Sequence, residues 1–376
     1  MGTDKPLGLI HFNHRLADGE VAWNPPGTGP RNPNYGDMLV CAALLRHIGD
    51  TETVRAMFGG ELDTPVDRAL VRGSTYLSRK FDYEQAIHTI ESIDAPIAVV
   101  GLGAQAKRGE VDFLDDLPNA RKFVQLLSER SVSISVRGEF TAAVLERLGV
   151  TNVRLTGCPS MFYSLTAPTI APPERLAGGD RRLGVSLHTG LRNGMFCRNP
   201  NAAMRKHGRV LTFSMRQAAE TYFFEQGVPI EYAVGDEKLP MAERLQAAET
   251  ILERFPNAPL KPMDLVTHMV SVRTVEEWLG LAGDLDAMIG FRFHGNMVAL
   301  TQGVPCYYYV YDTRLTEFCK LYRLPYLDVE KEWENPVEAI LEHDWADTTS
   351  AIRDCFNELV AFYDENGIEH TLASPR

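Results

Sequence analysis

The chain is predicted to be an α/β protein of two lobes, each built on a parallel sheet. Three observations lead there. Short apolar strand-like runs alternate with helix-like runs along most of the sequence. At 376 residues the chain is too long for one ordinary core. A composition shift at Ser164–Arg182, carrying Pro168, Pro172, Pro173, Gly178 and Gly179, has linker chemistry and splits the pattern in two. The expected organisation is an N-terminal lobe over residues 1–170 and a second lobe over 180–335. A helical tail, 336–376, is expected to pack back on the first lobe, by analogy with other two-lobed proteins.

In the first half, Leu7–Phe12 reads as an opening strand, followed by a Pro/Gly/Asn-rich loop at Asn24–Asn34 and a helix from Asp37 to about His47. Leu70-Val71 leads into Arg72-Gly73-Ser74. Pro96–Gly101 is a buried strand, because six residues with no polar alternation suit a strand covered on both faces. A helix near Ala120–Glu129, strand Val132–Val136, helix Phe140–Leu148 and strand Val153–Thr156 complete this half. The second half restarts at strand Leu183–Leu187. Further strands are expected at Val210–Phe213, Pro229–Val234, Leu285–Ile289 and Cys306–Val310, with helices at Met241–Arg254 and Thr274–Leu281. The segment Pro336–Asn366 is mostly helical.

Composition narrows the function. Lys plus Arg number 38 against 50 Asp plus Glu, so the formal charge is −12 and a nucleic-acid binder is not expected. An anionic small substrate remains compatible, because a few arginines in a cleft outweigh distant, screened carboxylates. The six cysteines form no C-x-x-C pair and none sits near a histidine at zinc spacing. They read as reduced core residues of a cytosolic protein. No signal core and no run of eighteen apolar residues occurs, so an integral membrane protein is not expected. A peripheral contact at the inner face of the membrane stays open, as does oligomeric state. No metal is expected: His11 and His14 are close but lack carboxylate partners.

The most informative stretch is Arg292-Phe293-His294-Gly295, after the apolar strand and before the helix-like run Asn296–Leu300. An arginine and a histidine two residues apart at the carboxyl end of a strand, beside a helix start, suit binding and protonating a phosphorylated or carboxylated molecule. A lone histidine is more often structural, and the pairing with Arg292 is what favours function here. Ligands in such folds bind at the carboxyl ends of strands, where two lobes would face each other. Other groups are candidates for the same place. Arg137, in Ser135-Val136-Arg137-Gly138-Glu139, ends a strand and opens a helix, or else is a surface arginine. Asp37, in Asn34-Tyr35-Gly36-Asp37, either caps a helix or orients or deprotonates a sugar hydroxyl. Gly101-Leu102-Gly103-Ala104-Gln105 fails the full dinucleotide pattern but suits close backbone approach, with Gly103 and Gln105 as contacts. Arg314 either points into the cleft or pairs with Asp312 or Glu317. Nucleophile-elbow, P-loop and H-E-x-x-H signatures are absent.

Together Asn34–Asp37, Gly101–Gln105, Ser135–Glu139 followed by Gly157-Cys158-Pro159, and Arg292–Gly295 with Ala299 and Gly303-Val304-Pro305 resemble the polysaccharide pyruvyl transferase family. The order and spacing of these short motifs carry the match over about residues 30–325. The resemblance implies a fold similar to GT-B glycosyltransferases: two Rossmann-like lobes with parallel sheets facing across a cleft, and C-terminal helices. It implies transfer of a pyruvyl group from phosphoenolpyruvate to sugar hydroxyls of a cell-surface glycan, usually as a cyclic ketal, with no further cofactor. By motif match Arg137, Arg292 and His294 hold the donor. Two departures stand out. Arg314 lies where many members carry lysine, which confines it to charge binding, since a guanidinium does not give up a proton. Glu139 follows Gly138 where the family usually has aspartate directly after the arginine.

The residue types suit the chemistry. Arginines and helix N-termini bind the carboxylate and phosphate of phosphoenolpyruvate. A histidine among arginines, lowered by like charge and raised by bound phosphate, titrates near neutrality, as general acid or else phosphate ligand. Two rivals remain: a nucleotide-sugar glycosyltransferase or epimerase of GT-B type, and a non-catalytic glycan-binding protein. The acceptor, lipid-linked or not, is expected to meet Asn24–Pro33 and Thr189–His207, unless these are connectors.

Overall fold

The computed structural model describes residues 5–12, 15–17, 20–22, 34–194, 196–255 and 258–373. The loop Asn24–Pro33 and His14 lie outside them. Fourteen strands are described. Strand β1 (Leu7–Ile10) precedes a small antiparallel hairpin, β2 (Arg15–Ala17) and β3 (Glu20–Ala22). Then come β4 (Thr53–Ala56), β5 (Arg68–Arg72), β6 (Ile97–Leu102), β7 (Ile134–Val136) and β8 (Val153–Leu155). The later strands are β9 (Arg182–Ser186), β10 (Glu220–Phe224), β11 (Met269–Val270), β12 (Ala287–Gly290), β13 (Cys306–Val310) and β14 (Tyr326–Asp328).

These form two six-stranded parallel sheets, ordered β4-β1-β5-β6-β7-β8 and β11-β10-β9-β12-β13-β14. Both orders are doubly wound. The second is the 3-2-1-4-5-6 arrangement of dinucleotide-binding domains, and the first begins 2-1-3-4-5 as flavodoxin-like sheets do. In doubly wound sheets, right-handed crossovers place helices on both faces. The burial agrees: every residue of β1, β6, β12 and β13 is buried. The fold is thus the expected α/β class of two lobes with parallel sheets and C-terminal helices.

The chain divides into two compact units. One comprises Met1–Asn13, Val40–Ala167 and Ser350–Arg376, and the other His14–Leu39 and Pro168–Thr349. The sequence reading placed Asn34–Asp37 in the N-terminal lobe, whereas these residues cluster with the second unit. In the first unit, the end of helix Trp345–Glu365 is tied to β8 by Arg154, which donates to Glu358 at 2.6 Å and to both oxygens of Glu365 at 2.6 and 2.7 Å. Asn366 continues the tie, accepting from the Val132 amide at 3.2 Å. Phe356 packs edge-on against Phe162.

Two expected strands are helices. Val210–Phe213 lies inside helix Pro200–Gln217, which Asn199 caps by accepting from the Ala202 amide at 3.1 Å, with Pro200 in the first turn. Its buried positions, Ala203, Met204, His207, Val210, Leu211 and Ser214, recur three or four apart, so one helical face wins over local β propensity. Pro229–Val234 is likewise the helix Pro229–Gly235, started by its proline. The edge strands β11 and β14 and the strand β10 were not foreseen. Much of Thr189–His207, read as a loop, is a 3-10 turn at Thr189–Asn193 and the start of that long helix.

Candidate functional site

In the second sheet the strand order reverses between β9 and β12, which pair directly. Ligands in open α/β sheets bind outside the carboxyl ends of strands at such a switch point. Here β9 leads into Leu187-His188-Thr189, and β12 leads through Phe291-Arg292 into helix Phe293–Leu300, whose eight residues are all buried. The corner is braced by Asn296: its amide donates to the Tyr307 carbonyl of β13 at 3.0 Å, and its Oδ1 accepts from Ser186 Oγ at 2.7 Å. Gly295 is needed for packing, since a β-carbon there would stand 2.7 Å from Ser186 Cβ and 2.9 Å from Arg292 Cβ.

Arg292 is already engaged. Its Nη2 donates to Glu231 Oε2 at 2.8 Å and Oε1 at 3.0 Å, and its Nε donates to the Leu187 carbonyl. Glu231 has no exposed surface, and its Oε1 also accepts from the amide and hydroxyl of Thr189 at 2.8 and 2.7 Å. The ion pair therefore clamps the backbone on both sides of His188. Glu231 belongs to the helix that the sequence reading took for a strand.

His294 is buried, edge-on to Phe293, and lies against the bare α-carbon of Gly36. The Asn34–Asp37 motif thus does reach His294. Within the motif, Asn34 is the cap: its Oδ1 accepts from the Asp37 amide at 3.4 Å, so the helix begins at Tyr35 and not at Asp37. Asp37 is half-buried in the first turn and within electrostatic reach of Arg314. Arg314 stands 3.9 Å from Asp312 Oδ2 and 5.7 Å from the Phe293 ring centre. Asp312 is itself the cap of helix Thr313–Leu321. The second unit therefore gathers Asn34, Asp37, Arg292, His294, Gly295 and Arg314.

Two further groups sit at the same strand ends and were not singled out from sequence. Glu225 follows β10 and is 1% exposed, with Oε1 lacking a hydrogen-bond partner among the described residues. Burial raises its carboxyl to about 8, aided by the negative charge of Glu231, while the Gly227 amide, Tyr35 and Arg292 pull it back. It therefore carries a proton near neutral pH. Tyr35 lies beside it, and donates to the Val272 carbonyl at 3.4 Å. His188 follows β9, with Nε2 3.2 Å from the Tyr311 hydroxyl. Burial, reinforced by Arg292, holds its imidazole well below the usual histidine range. The only cue in sequence was position after a strand.

The first unit holds Arg137, Gly103 and Gln105. Arg137 follows β7, is 2% exposed and reaches the Gly73 carbonyl through Nη2 at 3.4 Å, so it is not a surface arginine. Gly103 makes room for it: a β-carbon would stand 3.0 Å from Arg137 Cδ. Gly101, at φ +75°, makes room for Pro159, whose Cδ would be 2.6 Å away. The glycine motif and Gly157-Cys158-Pro159 thus serve one packing arrangement around Arg137. Gln105 is half-buried and its amide donates to the Leu77 carbonyl at 3.0 Å. Glu139 is exposed at the start of helix Glu139–Arg147. Among the described residues no three His, Cys, Asp or Glu side chains could hold a metal ion, and no helix is long and apolar enough to cross a membrane.

No curated protein matches the chain. Among solved structures, S. aureus MnaA with UDP is similar at 11% identity and TM-score 0.44, covering 98% of this chain and 93% of that one. Methanocaldococcus jannaschii UDP-GlcNAc 2-epimerase, solved with UDP-GlcNAc and UDP, gives 11% and 0.44 over 93% and 98%. Anabaena Alr3699/HepE, solved with UDP and glucose, gives 8% and 0.44 over 96% and 95%. The sequence profile of one family matches residues 34–313, a span that takes in every motif described above. The chain belongs to the polysaccharide pyruvyl transferase family.

Proposed function

We propose that the protein moves a pyruvyl group from phosphoenolpyruvate to two hydroxyls of one sugar in a cell-surface polysaccharide or its precursor, closing a ketal and releasing phosphate. Family membership makes it a transferase acting on polysaccharide. The observation that carries the finer reading is the Arg292-x-His294 corner at the switch point of the second sheet, with Arg314 and Asp37 beside it.

In this reading Arg292 and Arg314 supply positive charge for the carboxylate and phosphate of the donor, and Arg137 is the first unit's own candidate for binding substrate. Engagement with Glu231 keeps Arg292 fixed, and its charge still contributes to the local field. His294 gives a proton to C3 of phosphoenolpyruvate as a sugar hydroxyl oxygen bonds to C2. A second hydroxyl of the same sugar then attacks C2, and the C2–O bond to phosphate breaks. Of the two hydroxyl protons released, one replaces the proton given to C3 and the other leaves with phosphate. Asp37 orients the acceptor or takes up its proton. Neither metal nor nucleotide takes part. Six buried free thiols fit a reducing compartment, so we place the reaction in the cytoplasm.

The test is phosphate release from phosphoenolpyruvate with candidate glycans and lipid-linked precursors. His294→Ala should lower kcat by about a hundredfold or more. Undiminished turnover in that variant removes His294 from the mechanism. Thermal stabilisation by UDP but not by phosphoenolpyruvate would instead favour a nucleotide-sugar enzyme.

A further inference from the structure

We infer that His188 is an oxyanion-binding residue, whose Nδ1–H, together with the Nε–H of Arg314, grips the phosphate end of the donor. This deepens the donor reading above. The argument follows the direction of each hydrogen bond. The Tyr311 hydroxyl is buried and carries a single proton, and the one hydrogen-bond partner it has among the described residues is His188. The acceptor within reach among the described residues is His188 Nε2, 3.2 Å away. An imidazole that accepts at Nε2 and is kept neutral by its buried setting carries its proton on Nδ1.

That Nδ1 is out of solvent with no hydrogen-bond partner among the described residues, and so is Nε of Arg314. Buried donors without partners cost roughly 1–3 kcal/mol each, so two on side chains within electrostatic reach of each other call for an acceptor-rich ligand. A phosphate oxygen is such a ligand. The place also fits, because His188 leaves β9 beside the strand-order reversal. The residue is held by both neighbours: Arg292 binds the Leu187 carbonyl and Glu231 binds the Thr189 amide. Gly190 leaves the ring uncrowded, since a β-carbon there would come within 3.2 Å of His188 Cε1 and 3.4 Å of Nδ1. The Arg292–Glu231 pair is thus a frame for His188 as well as a source of charge.

Two isosteric variants separate this from a merely structural role. His188→Asn keeps a donor where Nδ1 stands and gives up the link to Tyr311. His188→Gln keeps an acceptor for Tyr311 and gives up the Nδ1 donor. Binding of inorganic phosphate and of phosphoenolpyruvate would be followed by calorimetry on the full chain, with unliganded thermal midpoints as the folding control. We expect His188→Asn to bind phosphate within about threefold of wild type, and His188→Gln to bind about tenfold or more weakly. The reverse order, equal binding by both variants, or no phosphate binding by the wild type would overturn the inference. Should either variant fail to fold, Tyr311→Phe serves, since without the hydroxyl the Nδ1 proton is no longer enforced and phosphate binding should weaken. Unchanged binding in Tyr311→Phe would also overturn it. Wild-type binding of phosphate but not of phosphoenolpyruvate would sink the donor reading and leave His188 as an oxyanion ligand.

Discussion

The bare α-carbon of Gly36 lies against the imidazole of His294: a β-carbon there would overlap Nδ1 and stand 2.9 Å from Cγ. Gly36 is in the first turn of a helix, where alanine would ordinarily be the better residue. Gly36→Ala should therefore act through the histidine. We expect kcat to fall by about tenfold to a hundredfold, because small displacements of a catalytic group are costly. Steady-state kinetics beside a melting curve checks this. A variant as active as wild type would mean that the position of His294 is not critical.

Gly101 and Gly103 should fail in different ways. At φ +75°, Gly101→Ala adds backbone strain and meets Pro159, so a loss of about 1–2 kcal/mol in stability is expected. Gly103 has no such backbone demand and faces Arg137 Cδ, so Gly103→Ala should move the guanidinium by a few tenths of an ångström. With Arg137 as a substrate ligand, KM rises several-fold with little change in unfolding. Equal effects on both quantities in both variants would argue against separate roles.

Strand ends and the Arg-x-His corner were legible in the sequence because each is local: apolar runs, turn residues and charge within a few positions. Partners far apart were not. Glu231 lies 61 residues from Arg292, and nothing in either neighbourhood announces the other. The same blindness hid His188, whose role depends on Tyr311, 123 residues away. Val210–Phe213 misled because three β-favouring residues, Val210, Thr212 and Phe213, outweighed a helix signal spread over the eighteen residues Pro200–Gln217 and the Asn199 cap before them. Asn34–Asp37 was read as a first-lobe motif because chain order was taken for spatial order.

Glu231→Gln tests the frame around His188. Removing one charge from a buried pair leaves the other uncompensated, and Arg292 is only 12% exposed at its side chain. We expect a loss of about 3 kcal/mol in urea unfolding, larger than surface pairs give. Phosphate affinity should fall as well, since Thr189 loses its carboxylate acceptor. Destabilisation with unchanged phosphate binding would make the pair purely structural.

Glu225 gives a pH signature of definite sign. Its carboxyl is raised from 4.5 to about 8, first by burial and then by Glu231. The folded state thus holds a proton that the unfolded state releases between these values. The associated stability is fully present below about 4.5 and is lost as pH rises through 8. Glu225→Gln, which mimics the protonated form, should remove this decline and be more stable than wild type above pH 8 by on the order of a few kcal/mol. Urea unfolding from pH 6 to 9.5 measures it. Glu231→Gln adds a check, because deleting the like charge should move the wild-type decline to lower pH. A wild-type profile flat across this range would mean that Glu225 is not protonated near neutrality.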